Sequence, residues 1–218
     1  MSNKIYVWDP LVRLFHWTLV FSFIVAYVSG EDESLTHIYA GYLIMGLITF
    51  RIIWGLIGSK HARFSDFITS PAETLRYAGG LFTGKAKHYL GHNPLGGWMI
   101  IALLISLIIT SITGLKLYGV EGHGPLAQSQ TMSQPAIGNN TLIVLTNGRD
   151  HDDDDNEHEG RDGHEDDDEA EDFWEEIHEF FANLTLLLVL LHISGVIFSS
   201  ARESQNLVKA MITGYKRQ

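Results

Sequence analysis

The sequence contains no cysteine among its 218 residues. Disulfide bonds, thiolate metal sites, iron–sulfur clusters and covalently attached c-type haem are therefore excluded. Basic residues are also scarce. The chain contains 15 Lys and Arg but 26 Asp and Glu, which gives a net charge of −11. This balance leaves no basic surface for nucleic acid, so a nucleic-acid partner is not expected.

The negative charge is concentrated in one segment. Residues 149–172 hold 15 acidic and 2 basic residues, so the rest of the chain is close to neutral. Repetitive, mutually repelling charge of this kind is typical of disordered, solvated linkers. The same segment contains His151, His158 and His164, which could bind a divalent metal weakly, and both interpretations stay open.

Acidic residues are absent from four long apolar runs, at 11–29, 38–57, 97–117 and 180–200. Each run is long enough to cross a hydrocarbon core of about 30 Å as a helix. The sequence therefore predicts an all-α membrane protein built as a four-helix transmembrane bundle. Three segments are expected: residues 1–118 with the first three helices and the loop 58–96, an acidic, largely disordered extracytoplasmic loop at 119–172, and residues 173–218 with the fourth helix and the tail.

The distribution of basic residues predicts the orientation of the bundle. Lysine and arginine mark the cytoplasmic side of a membrane protein. Here they occur at both chain ends and in the loop 58–96, as Lys4, Arg13, Lys60, Arg63, Arg76, Lys85, Lys87, Arg202, Lys209, Lys216 and Arg217. Both termini are therefore predicted to be cytoplasmic.

Four histidines lie within or at the ends of the apolar runs, where ionisable groups are costly and commonly functional. His178 and His192 are 14 residues apart, which puts them on one helix face, about 21 Å apart along the axis. His16 is expected at the cytoplasmic depth of His192, and His37 at the depth of His178. The pairs His16/His192 and His37/His178 are thus candidate axial ligands of two iron porphyrins, one near each leaflet. The alternative is that all four are interfacial side chains that snorkel to the membrane surface.

Two arginines and two glycines accompany these histidines. Arg13 and Arg51 lie in the cytoplasmic half of their helices and are candidate partners of haem propionates, because arginine binds carboxylates bidentately. Snorkelling to the interface is the alternative. Gly41 and Gly195, each within about one turn of a histidine, leave room for a flat macrocycle.

Several stretches outside 120–172 resemble bacterial di-haem b-type cytochromes of the b561 type, which include the b subunits of nickel–iron hydrogenases. They are VWDPLVRLFHW, THIYAGYLIMGLITFRIIWGLIGSKHARFSDF, LGHNPLGGWM, LHISGVIFSS and ESQNLVKAMITGYKR. The resemblance implies two non-covalent haem b groups, each bound by two histidines, with His16, His37, His178 and His192 as the ligands. It also implies a bacterial inner-membrane location, and electron transfer between the quinone pool and a periplasmic redox partner.

The identity of the partner is left open. The chain could anchor a hydrogenase or dehydrogenase without being catalytic itself, or act as a quinol:cytochrome c oxidoreductase whose c-type cytochrome is attracted by the acidic loop. Besides membrane lipid and this partner, a second copy of the chain in a homodimer is a further option. A different class, divalent-metal transport or binding through the His/Asp-rich loop, is less well supported because the apolar runs contain no Asp or Glu.

Overall fold

The computed structural model describes residues 4–30, 34–83, 89, 91–127, 162–202 and 206–217. The elements in chain order are β1 (Lys4–Tyr6), α1 (Pro10–Val28), α2 (Leu35–Ile57), α3 (Phe64–Phe67), α4 (Pro71–Thr83), α5 (Pro94–Val120), α6 (Asp162–Arg202), α7 (Leu207–Thr213) and β2 (Tyr215–Arg217).

Four helices are long and apolar enough to cross a membrane: α1, α2, α5 and the part of α6 from Glu169 to Arg202. They confirm the predicted helical class and four spans. Large apolar side chains remain exposed on their outer surfaces, among them Leu14 and Phe21 on α1 and Leu187 on α6. Such a surface suits helices whose outer faces meet lipid tails, because lipid does not drive apolar side chains inward as water does.

The starts of the helices are fixed by capping residues. The Asp9 Oδ1 atom accepts a hydrogen bond from the Leu11 backbone N–H at 2.8 Å, and Pro10 occupies the first position of α1. The Asn93 Oδ1 atom likewise accepts from the Gly96 N–H at 2.7 Å, ahead of Pro94 in α5. These are the residue types preferred at helix starts, and they place the start of α5 a few residues before the apolar run at 97–117.

The bundle has two ends, because successive spanning helices run in opposite directions. The end that carries both chain termini together with α3, α4 and α7 is called the terminal side. The other end, where α1 ends, α2 begins and α5 ends, is called the distal side. On the terminal side β1 pairs antiparallel with β2, next to a buried cluster of Val7, Trp8 and Ala210. The two ends of the chain are thereby joined to each other.

The centre of the bundle is mainly apolar, with one polar contact between helices. Ala26, Ala40, Ile44, Ile48 and Leu107 form the buried apolar cluster shared by α1, α2 and α5. Between α5 and α6, the buried hydroxyls of Ser106 and Thr185 share a hydrogen bond of 2.7 Å. An interhelical hydrogen bond of this kind satisfies polar groups that have no water available inside a bilayer.

The fourth spanning helix is longer than the apolar run that predicted it. Most of the expected loop 119–172 lies outside the described residues, and 162–172 form the first turns of α6. Acidic residues near the start of a helix interact favourably with the positive end of its dipole. A helix of 41 residues is about 60 Å long, so its acidic part projects beyond a hydrocarbon core of about 30 Å.

Candidate functional site

One pair of candidate functional side chains lies on the distal side, where His37 of α2 meets His178 of α6. The Nδ1–H group of His37 donates to the carbonyl oxygen of Ala26, 2.8 Å away on α1. The Nδ1–H group of His178 donates to the carbonyl oxygen of Thr110, 3.0 Å away on α5. A carbonyl can only accept, so each bond places the ring proton on Nδ1 and leaves Nε2 with a free lone pair. This is a tautomer that metal-binding histidines commonly adopt.

The two imidazole rings face each other at a distance that suits a shared metal ion. Their centroids are 5.9 Å apart and their planes cross at 84°. Metal–imidazole bonds are about 2 Å long, so two rings on opposite sides of one ion have centres about 6 Å apart. The separation of the two rings therefore suits two histidine ligands of one metal ion.

A cavity opens beside this histidine pair, between α1, α2, α5 and α6. It has a volume of about 120 Å³ and is lined mostly by apolar side chains together with both histidines. Gly41 contributes to the wall, and a Cβ atom at this position would meet no other atom within 4 Å. The cavity is therefore mostly apolar and has a glycine in its wall.

The second pair, His16 on α1 and His192 on α6, lies towards the terminal side. Both side chains are partly buried, and they are close enough to repel each other when both are charged. The Nδ1 atom of His16 is buried without a hydrogen-bond partner. His192 makes no hydrogen bond within the described part of the chain. Near His192, a Cβ atom at Gly195 would also meet nothing within 4 Å.

The two in-span arginines are both found on the terminal side. Arg13 donates from Nη1 to the carbonyl oxygen of Ile212 at 2.6 Å, while its buried Nε atom has no partner. Arg51 is only 3% exposed, donates from Nη1 to the carbonyl oxygen of Ala62 at 3.0 Å, and lies 4.8 Å from the centre of the Phe64 ring. Arg51 therefore does not extend to the surface. Among the described residues neither arginine is paired with a carboxylate.

Two further side chains of the terminal side have buried N atoms without hydrogen-bond partners, Trp54 at Nε1 and His92 at Nδ1. The His92 ring packs against Trp8 and Phe67, with centroids 4.5 and 4.7 Å away. Burial, together with the nearby cations Lys216 and Arg51, lowers the pKa of His92 to about 3. The sequence around His92 gives no sign of this burial, because Trp8 is distant from it along the chain.

The histidines of the acidic segment stand apart from both pairs. His151 and His158 lie outside the described residues, and His164 falls in the first turns of α6. Within the described ranges, no three His, Asp or Glu side chains are grouped so that they could hold a metal ion. Metal binding by this segment is thus left as a prediction.

The fold and the site define a class of protein, a helical membrane bundle with histidine pairs at two levels. Comparison with known sequences identifies the family, because the family model described as prokaryotic cytochrome b561 matches residues 7–214. The chain therefore belongs to the prokaryotic cytochrome b561 family, as its resemblance predicted. Members are integral membrane proteins that bind b-type haem and transfer electrons. No solved structure matches the chain.

The curated relatives carry a common name, "Probable Ni/Fe-hydrogenase B-type cytochrome subunit". The protein from Rhizobium leguminosarum bv. viciae is 28% identical over 150 residues, which cover 56% of this chain and 62% of the relative. That from Azotobacter vinelandii is 29% identical over 153 residues, with the same coverage of 56% and 62%. The Cupriavidus necator protein is 22% identical over 241 residues and aligns with 97% of this chain and 86% of its own length. The chain thus spans about three-fifths of the length of the first two relatives.

Proposed function

We propose that the chain binds two haem b groups and carries electrons across the bacterial inner membrane. His37 and His178 would be the axial ligands on the distal side, and His16 and His192 those on the terminal side. The observation that carries this proposal is the distal pair. Its two rings, 5.9 Å apart, keep their Nε2 atoms free and border a glycine-walled cavity. The second pair adds matching imidazoles on α1 and α6 about 21 Å further along the bundle.

Haem supplies the reversible one-electron chemistry once it is bound. The protein's residues have three tasks. The four imidazoles would hold the two haem groups. The carbonyl groups of Ala26 and Thr110 hold the distal imidazoles in place. The apolar cavity wall excludes water.

Arg13 and Arg51 are proposed to bind the propionates of the terminal-side haem. A buried cation without an anionic partner is costly, and within the described part of the chain Arg51 is such a cation. Arg13 retains a buried N–H group at Nε that lacks an acceptor. Two carboxylates at this level would satisfy both side chains with charge-assisted hydrogen bonds.

The terminal side is proposed to be cytoplasmic. Its described surface carries Lys60, Arg63, Arg76 and Lys209, whereas the described distal stem of α6 carries Glu169, Glu171, Asp172, Glu175, Glu176 and Glu179. Basic residues are retained on the cytoplasmic side during insertion. The distal haem would then lie near the periplasm, and the terminal one near the cytoplasm.

Electrons are proposed to pass between the quinone pool and a periplasmic redox partner. The names of the relatives favour a hydrogenase as this partner. The acidic stem of α6 equally suits a basic c-type cytochrome, since opposite charges speed association. In the first case the chain would be a membrane anchor, and in the second a quinol:cytochrome c oxidoreductase.

The haem content of purified variants tests the proposal. Two haem b groups per chain, with low-spin spectra, are expected from a pyridine haemochrome assay against protein concentration. The double variant His37→Ala/His178→Ala should keep one haem, whereas His16→Ala/His178→Ala should keep none. His123→Ala, at an exposed histidine of the distal side, is the matched control and should keep both. A chain without haem from iron- and haem-replete cells, or one haem surviving in the second double variant, would overturn the assignment.

A further inference from the structure

The two histidine pairs differ in what their Nδ1 atoms meet. On the distal side, His37 and His178 both donate from Nδ1 to backbone carbonyls, at 2.8 and 3.0 Å. His178 has a second polar neighbour, since the Thr113 hydroxyl oxygen lies 3.2 Å from the same nitrogen. On the terminal side, Nδ1 of His16 is buried without any partner. Among the described residues, only the distal imidazoles are therefore held by hydrogen bonds.

The charges around the two pairs differ in the same sense. The described terminal side holds Arg13 and the buried Arg51, the two cations proposed above to neutralise the propionates of the terminal-side haem. The described distal side presents the acidic stem of α6, and its single described Lys or Arg is Lys116, which lies 6.0 Å from the Trp174 ring. The terminal side is thus electropositive relative to the distal side.

Both differences act on the stability of ferric relative to ferrous iron. Donation from Nδ1–H makes an imidazole a stronger electron donor to a bound metal, which favours the ferric state. Nearby positive charge favours the less positive ferrous state, and nearby negative charge opposes it. Hydrogen bonding to ligands and local charge are among the means by which proteins set haem potentials.

We propose that these surroundings hold the midpoint potential of the distal haem below that of the terminal haem. The proposal rests on the proposed function, because it requires both pairs to bind haem. Its determinants are the carbonyl groups of Ala26 and Thr110 and the Thr113 hydroxyl on one side, and Arg13 and Arg51 on the other. Such an order would favour electron transfer from the distal to the terminal side.

A potentiometric titration of the purified protein, followed by visible absorption, measures both midpoints. Two components are expected. The haem retained by His192→Ala, which is the distal one, should titrate with the lower component, and the haem retained by His178→Ala with the higher component. Equal midpoints or the reverse order would overturn the proposed potential difference while leaving the di-haem assignment intact. Absence of the second haem from the unmodified protein would instead overturn the proposed function.

A single substitution tests the hydrogen-bond contribution without removing a ligand. Thr113→Val keeps the shape of a buried side chain but removes the hydroxyl next to His178. The lower midpoint should rise, and the higher one should stay unchanged. Thr49→Val is the matched control, because the Thr49 hydroxyl donates only to the carbonyl of Met45 within its own helix. A Thr113→Val shift confined to the higher component, or no shift at all, would contradict the role assigned to Thr113.

Discussion

Gly114 offers the sharpest test of the distal histidine site. A Cβ atom at this position of α5 would lie 2.7 Å from Cε1 and 3.0 Å from Nδ1 of His178. Both distances are well below the separation of about 3.5–4.0 Å at which non-bonded carbon atoms attract each other. The ring cannot move away freely, because its Nδ1–H group is bonded to the Thr110 carbonyl. Gly114→Ala should therefore displace His178 from its present position.

The expected free-energy change can be worked out from opposing contributions. Replacing glycine by alanine inside a helix stabilises it by up to about 1 kcal/mol. Against this, overpacking costs about 1–3 kcal/mol, and loss of the His178 hydrogen bond costs about 1 kcal/mol more. Gly114→Ala should thus lower the unfolding free energy by about 1–3 kcal/mol. Gly46→Ala provides the control, because a Cβ atom there meets nothing within 4 Å and only the helix gain of up to about 1 kcal/mol applies.

The assay combines thermal unfolding in detergent with haem quantification. Gly114→Ala should melt at a lower temperature than the unmodified protein and lose the distal haem, so that about half of the total haem remains. Gly46→Ala should keep both haems and melt at the same temperature or slightly higher. The steric reasoning is refuted if Gly114→Ala retains both haems and the unmodified spectrum while its stability rises like that of Gly46→Ala.

Three further predictions concern other parts of the bundle. Gly41→Leu should fill the distal cavity and abolish haem binding there, whereas Gly46→Leu should not; equal haem content in the two purified variants would contradict the position given to the macrocycle. Ser106→Ala and Thr185→Val should show a coupling of about 0.6–1.7 kcal/mol in a double-mutant cycle of unfolding, and additivity would show that their 2.7 Å hydrogen bond adds nothing. Because the pKa of His92 is lowered to about 3, the unfolded chain binds a proton that the folded chain does not between about pH 6.5 and pH 3. Stability should therefore decrease as the pH falls through this window, by up to about 5 kcal/mol. His92→Phe should remove this part of the acid sensitivity in pH-dependent melting, and an unchanged pH profile would argue against a buried neutral imidazole.

The spanning helices could be predicted because their signal is local. A run such as 97–117 is apolar throughout, and the matching helix, Pro94–Val120, differs only at its ends. The capping residues Asn93 and Pro94 explain the earlier start. The depths of the histidines follow from the same runs, which is why counting residues suffices to place His37 and His178 at one level.

The features that depend on contacts between distant parts of the chain could not be predicted. The pairing of β1 with β2 joins residues more than 200 positions apart through three-residue strands, and neither strand has a pattern of its own. The sequence indicates that Arg51 either snorkels to the interface or binds a propionate. Its contacts with the Ala62 carbonyl and the Phe64 ring depend on the fold and have no local sequence pattern. The carbonyl acceptors of the distal imidazoles belong to the backbone, so no side-chain pattern reveals them.

The spacing of the two sites follows from one rigid helix. Thr185 lies seven residues from His178 and seven from His192, and seven residues make nearly two turns, so all three share a face of α6. Thr185 is fully buried and bonded to Ser106 of α5, which fixes this face towards the interior midway between the sites. One residue inserted on either side of Thr185 would rotate the histidine beyond it by about 100° and remove it from its pair. The helix fixes the distance between the sites but not their surroundings, and the imidazoles meet different groups: a backbone carbonyl for His178, and no hydrogen-bond partner among the described residues for His192.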